Sequence, residues 1–246
     1  MTPTARGSAK ADLRRLIDED QSRRRFFDLF PDEGPFRREL YPKHLEFFAA
    51  GAKYRERCFM AANRTGKTLG AGGFETVCHL TGLYPVWWPG KRFDRPTRGW
   101  AAGRTNETTR DIIQRKLFGD VAWRGGDKTV TGRGLVPGDL IGDVTWKQGV
   151  QDLLDTVRVK HVSGQFSTLG LKSYQQGRGS FEGTEQDFVW LDEECDPLVY
   201  GECLIRTAST DGNPDHNGLI YLTFTPIEGM SEVTMSFLPK EMRLVA

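Results

Sequence analysis

An α/β fold with a mostly parallel central sheet is the class this sequence predicts, on three observations. From about Tyr54 onward, short apolar runs alternate with stretches patterned for helices. Each early run is followed by a turn and then a helical stretch, the order expected of crossover-connected parallel strands. Two later runs, Phe188–Leu191 (FVWL) and Gly218–Thr225 (GLIYLTFT), are nearly continuous in apolar residues, as strands covered on both faces are.

Taken in order, residues 1 to about 40 are dense in Arg, Asp and Glu, and Ala11–Phe30 is patterned as an amphipathic helix that PDEG at Pro31–Gly34 ends. This gives a small N-terminal helical segment, an arm or lid over 1–50, ahead of a core over 51–246. Arg57–Ala62 reads as the first strand and Lys67–Leu80 as the helix after it. Gly99–Ala102 is a second strand, followed by a helix over Glu107–Phe118. The stretch 119–150, with WRGGDKTVTGRG inside it, is expected to be an irregular insertion because Gly and Asp crowd it. Thr156–Val162 alternates as TVRVKHV and is expected to pair with Phe166–Ser173.

Composition excludes several classes. Glycine supplies 28 of 246 residues, well above the average share of roughly 7%, which indicates many turns and close backbone approaches. No apolar run is long enough to span a bilayer, and MTPTARGSAKADLRRL lacks the apolar core of a signal peptide. The cysteines Cys58, Cys78, Cys195 and Cys203 form no CxxC pair, and His44, His79, His161 and His216 show no ligand spacing beside them. Reduced thiols in a cytoplasmic protein are therefore expected, and no zinc site. Formal net charge is +1, but unevenly spread: Lys91–Arg133 holds 11 basic and 5 acidic residues, and Glu182–Glu202 holds eight acids and no Lys or Arg. A basic surface and an acidic site in one chain suit a polyanion handled near a metal ion.

The segment Ala61–Thr68, AANRTGKT, lies between a strand and a helix, the context a phosphate-binding loop requires. Gly66 lets the backbone approach phosphates, and the N–H groups of the turn and helix start supply partial positive charge. Lys67 would reach the β- and γ-phosphates, and the Thr68 hydroxyl would ligate Mg²⁺. Ala61 stands where the usual pattern has Gly, and its small side chain leaves the loop possible. Ala61, Asn63, Arg64, Thr65 and Gly66 are expected to surround the nucleotide. Phe188–Glu193, FVWLDE, delivers Asp192 at the end of a buried strand to hold the metal shell, with Glu193 one residue on to polarise a water. Together these motifs predict hydrolysis of ATP with Mg²⁺. At Leu222–Pro226, LTFTP, a hydroxyl at a strand end could lie near the γ-phosphate.

YPKHLEFF, AANRTGKT, FVWLDEE and TFTP, in that order between roughly Tyr41 and Gly229, resemble the ATPase domain of large terminase subunits, the DNA-packaging motors of tailed phages. The resemblance implies a P-loop NTPase of the RecA-like (ASCE) kind. It implies an adenine-side segment at Tyr41–Phe48, with Tyr41 and His44 near the base, or else a packing role for Tyr41 and Phe48. Arg64 resembles the loop arginine that senses the γ-phosphate. Asp192 and Thr68 correspond to the Mg²⁺ residues and Glu193 to the catalytic base. Thr225 matches the coupling motif, with Thr223 as the alternative. An arginine finger from a neighbouring subunit is implied as well, and Arg178 in QQGRGSFEG fits it, with Arg104 as the alternative.

The same resemblance implies ATP-driven translocation of double-stranded viral DNA into a procapsid. Its partners would be the DNA, further copies in a homo-oligomeric ring, a portal protein and a small terminase subunit. The place of action would be the cytoplasm of an infected bacterium, transiently at the procapsid portal, with no membrane partner. Lys91–Arg133 is expected to serve either as a DNA-tracking surface or as an intersubunit face. Only 20 residues follow Pro226, without an Asp among them, so no nuclease domain or activity is expected of this chain. A helicase-like or repair ATPase and a nucleotide-dependent DNA-binding scaffold are the alternatives.

Overall fold

The computed structural model describes residues 24–226, 229 and 231–238. Its helices are α1 (Pro42–Ala50), α2 over 67–81, α3 over 106–118, α4 (Pro197–Arg206) and α5 (Glu232–Phe237). The strands are β1 (Glu56–Met60), β2 (Arg98–Gly103), β3 (Val121–Arg124), β4 (Asp127–Val130), β5 (Ile141–Trp146), β6 (Leu154–Lys160), β7 (Phe166–Ser173), β8 (Phe188–Asp192) and β9 (Leu219–Phe224). Seven of them form one sheet in the order β1-β9-β8-β2-β7-β6-β5. β1, β9, β8, β2 and β7 run parallel, and β6 and β5 add an antiparallel edge. The predicted α/β class with a mostly parallel sheet is therefore the observed one.

The apolar runs of β8 and β9 face both ways because two helical layers cover the sheet. Phe188 and Trp190 of β8, with Leu219 and Tyr221 of β9, pack with Phe48 of α1 and Phe74, Val77 and Leu80 of α2. Val189 and Leu191, with Ile220, Leu222 and Phe224, pack on the other face with Val199 and Cys203 of α4 and Val233 of α5. α2 opens with a wide π turn, Lys67–Gly73, before the α-helix Phe74–Thr81. Its backbone lies directly on the sheet: a Cβ at Gly72 would stand 2.2 Å from Trp190 Nε1. The four cysteines are free thiols, three of them buried. Among the described residues no helix is long and apolar enough to cross a membrane.

Two expectations are corrected. The stretch 119–150 is not irregular: β3 and β4 form a hairpin, and β5 joins the main sheet as its far edge. Gly125 and Gly126 take φ values of +59° and +95° between Arg124 and Asp127, the glycine pair that a tight hairpin turn favours. β5 is half exposed along its length, so it carries no strong apolar pattern. Of the helix expected over Ala11–Phe30, residues 11–23 lie outside the described residues. Arg25–Asp28 forms only a 3-10 turn, with Leu29 extended after it. That turn lets Phe26 and Phe30 both bury on Phe74, at centroid separations of 4.8 and 5.1 Å.

Under α2 lies a buried ionic network that ties the helix to β1. Arg57 Nη2 and Nη1 donate to Glu75 Oε1 and Oε2 at 2.6 and 3.1 Å, and Nη1 also donates to Phe47 O at 2.8 Å. His79 Nε2 stands 3.1 Å from Glu75 Oε1, and Nδ1 stands 2.9 Å from the Tyr84 hydroxyl. Burial works to raise the Glu75 carboxyl, but the Arg57 charge and the His79 contact outweigh it and hold it below the usual range. Burial keeps His79 below its ordinary value, so the pair is Arg⁺ with carboxylate and the imidazole a neutral donor. Glu75→Ala would strand the Arg57 guanidinium, which is expected to cost about 3–5 kcal/mol. Urea unfolding checks this, and a loss below about 1 kcal/mol would mean that water reaches Arg57 in the variant.

Candidate active site

The parallel strands β1, β9, β8 and β2 end on the same side of the sheet, where ligands bind in open α/β sheets. The loop 61–66 leaves β1 there and enters α2. Gly66 and Arg64 both take left-handed conformations, at φ +85° and +65°, which turn the chain sharply enough for Gly66 O to accept from Gly70 N at 2.6 Å and Ala71 N at 3.3 Å. Thr65 Oγ1 donates to Ala62 O at 2.9 Å and closes the loop on itself. Arg64 is exposed on the loop, whereas Lys67 is buried at its base.

Two threonines of the β9 end divide the site between them. Lys67 Nζ donates to Thr225 Oγ1 at 2.6 Å, and Thr225 Oγ1 in turn lies 2.9 Å from Ala61 O and 3.0 Å from Asn63 Oδ1. Thr223, fully buried, donates to Asp192 Oδ1 at 2.7 Å, and Thr68 Oγ1 donates to the same oxygen at 3.1 Å. Trp190 Nε1 donates to Thr223 Oγ1 at 2.8 Å, which commits the threonine's own hydrogen to the carboxylate. The sequence reading missed Trp190, although a buried indole N–H has to find an acceptor, and the strand run FVWLD offered that signal.

Burial pushes the Asp192 carboxyl up to about 7, with the neighbouring Glu193 charge raising it further and the Thr223 and Thr68 bonds and the Lys67 charge opposing. Glu193 follows at φ +67°, with its N–H donated to Thr223 O at 3.0 Å. Thr234 Oγ1 (2.6 Å) and Ser231 Oγ both donate to Glu194 Oε1, so the third acid turns toward α5. Asp192, Glu193, Glu194 and Thr225 line a cavity of about 180 Å³ together with Gly103, Arg104, Thr108 and Ile112.

Of the remaining expected residues, His44 is buried behind the loop: a Cβ on Gly66 or Gly70 would stand 3.4 or 3.2 Å from its Nε2, and burial lowers its pKa. Tyr41 is half buried, edge-on to Phe30 and His44, and Phe48 is fully buried. Arg178 is not brought to the cavity within the chain. It sits on the 3-10 turn Arg178–Phe181, and its Nε donates to Glu202 Oε2 of α4 at 2.9 Å. Arg104, the alternative, does line the cavity.

The Asp192 shift has a pH signature. Its folded pKa of about 7 lies above the ordinary 3.8, so the folded state binds this proton more tightly. The associated stability is full below about pH 4 and is lost as pH rises toward 7. In metal-free protein, Asp192→Asn should therefore gain on wild type between about pH 5 and pH 8. Thermal midpoints in chelator at the two pH values measure this, and an equal difference at both would contradict a buried, shifted carboxyl.

Known proteins share this chain's sequence over most of its length. The family model described as terminase large subunit, T4likevirus-type, N-terminal, matches residues 58–243. The terminase large subunit of Salmonella phage P22 is 35% identical over 244 residues, covering 92% of this chain and 46% of that protein. The chain thus spans about half the length of the curated relative it matches. Among solved structures, the large terminase of a thermophilic bacteriophage in complex with ADP gives a TM-score of 0.44 at 13% identity, over 74% of this chain and 37% of that one. The large terminase of bacteriophage HK97 gives 0.43 at 14% identity, over 80% and 35%. On the family model and the curated relative, the chain belongs to the terminase large subunit family.

Proposed function

We propose that this chain binds ATP on the loop 61–68 and hydrolyses it as the motor part of a machine that moves double-stranded viral DNA into a procapsid. One observation carries the reading: residues of three separate segments meet at the strand ends in two adjoining hydrogen-bonded groups, Lys67 with Thr225 and Thr68 with Asp192 and Thr223. Background composition does not bring a loop lysine and threonine onto the two ends of such a pair of strands.

Thr68 and Asp192 fit Mg²⁺ and would hold it, being one hydroxyl and one carboxylate, hard oxygens 3.1 Å apart of the kind such an ion takes. When bound, the ion neutralises charge on the β- and γ-phosphate oxygens. Lys67 binds the same phosphates, and releases Thr225 as it does so. Gly66, Thr65, Asn63, Ala61 and Arg64 wrap the phosphates, with Arg64 reaching the γ-phosphate from its exposed position. Glu193 takes the proton of an attacking water in the cavity it shares with Arg104. Thr225, with Thr223 behind it, carries the change to β9. Tyr41 and His44 shape the base side of the loop.

In this reading residues 51–246 are the ATPase core and 1–50 an arm beside the nucleotide. Arg178 serves a neighbouring copy in a homo-oligomeric ring, since its own chain keeps it away from the cavity. Lys91–Arg133 faces either the DNA phosphates or the next subunit. The portal protein and small terminase subunit are the further partners, met in the cytoplasm of the infected cell.

Two measurements test the proposal. Mg²⁺-dependent ATPase activity should rise in specific rate with protein concentration, and Glu193→Ala should lower turnover at least about 100-fold while ATP binding stays intact. Surviving turnover would remove Glu193 as the base. Arg178→Ala should lose on the order of 10³-fold, and mixing it with Glu193→Ala should restore turnover, because each subunit supplies what the other lacks. A mixture no more active than its components would return Arg178 to a role within its own chain.

A further inference from the structure

Tyr174 has no part in the site as described so far, yet its hydroxyl lies under the acidic strand end. It follows β7 directly and opens the 3-10 turn Tyr174–Gln176. The hydroxyl is 3.0 Å from Asp192 O, 3.2 Å from Glu193 O and 3.2 Å from Ala102 O. All three are carbonyl oxygens, so the phenol is the donor and its single hydrogen is shared among them. Burial raises the phenol well above its usual range, which keeps that hydrogen in place at any working pH.

Glu193 needs such a partner. At φ +67° it occupies a conformation that a side chain disfavours and that surrounding structure has to enforce. Its N–H is fixed to Thr223 O at 3.0 Å, and the Tyr174 hydroxyl is the donor facing its carbonyl. The residue is thus gripped through both of its peptide groups, by β9 on one side and by Tyr174 on the other. The tyrosine also belongs to the segment that carries Arg178. Gln175 N donates to Arg104 O at 3.2 Å and Gly177 N to Tyr174 O at 2.8 Å, and Arg178 follows at once.

We propose that Tyr174 is a positioning residue: its hydroxyl holds Glu193 in the left-handed conformation that aims the carboxylate into the cavity, and it links that carboxylate to the turn bearing Arg178. The inference rests on the reading of Glu193 as the base. Tyr174→Phe keeps the ring and removes only the hydrogen bond, so ATP affinity should stay within about twofold while turnover falls about tenfold. On a Glu193→Gln background the same change should add nothing, because a residue acting through Glu193 has nothing left to position.

Wild-type turnover in Tyr174→Phe would overturn the proposal, as would a loss that falls on ATP affinity, or a tenfold loss that persists in full on the Glu193→Gln background. Glu193→Gln measured alone separates the two readings. If it turns over like wild type, the base assignment fails and the positioning of it fails with it. If it is inactive while Tyr174→Phe is fully active, only the role of Tyr174 falls.

Discussion

Burying the Asp192 carboxylate at the end of β8 is costly unless it is hydrogen-bonded, and the elements around it are arranged to supply two bonds to its Oδ1. Thr68 comes from the start of α2, and Thr223 from β9, which lies between β8 and β1. Thr223 gives its hydrogen to the carboxylate while Trp190 donates to its oxygen, and Trp190 has room under α2 because Gly72 carries no side chain. A helix start, two strands and a glycine contact thus depend on one acid. The carboxyl remains shifted up to about 7 even with these bonds, which leaves it poised to gain from a cation.

The interleaved β9 makes the two halves of the site mechanically dependent. Thr223 bonds the acid of β8 and Thr225, two residues on, bonds the lysine of the loop after β1. β9 is hydrogen-bonded along its length to both neighbours. Its end therefore cannot move toward one partner without pulling on the other. In the proposed reading, this is how β9 would register whether the lysine is engaged with Thr225 or drawn away from it, and would pass the difference to the Thr223–Asp192 pair.

Much of this was legible in the sequence, and the limits have physical causes. Buried parallel strands announce themselves as apolar runs, so β8 and β9 were found nearly to the residue, and the loop of Ala61–Thr68 follows from glycine, charge and its setting between strand and helix. β5 escaped because an edge strand exposed on one face carries little apolar pattern. The hairpin turns on Gly125–Gly126, a pair that composition does not separate from an irregular glycine-rich stretch. In the run FVWL, Trp190 counts as one more apolar residue, because its N–H is invisible to a hydropathy pattern. Tyr174 had no signal: its role depends on three carbonyls contributed by β2 and the end of β8. The resemblance puts His44 beside the base, whereas its place behind the loop depends on packing against Phe59 and Phe30.

Arg178 and Arg206 are held by the same carboxylate under different constraints. Glu202, whose side chain is 1% exposed, binds Arg178 through Oε2 and Arg206 through Oε1. Arg178 is itself 52% exposed. If it swings out to a phosphate on a neighbouring subunit, Glu202 keeps Arg206, at 2.7 Å from Oε1, and no enclosed carboxylate is left without a cation. Breaking a buried pair is expensive chiefly because one charge is stranded, and the second arginine removes that expense. Glu202 can therefore park Arg178 in a defined place and still release it, which a single buried pair could not do.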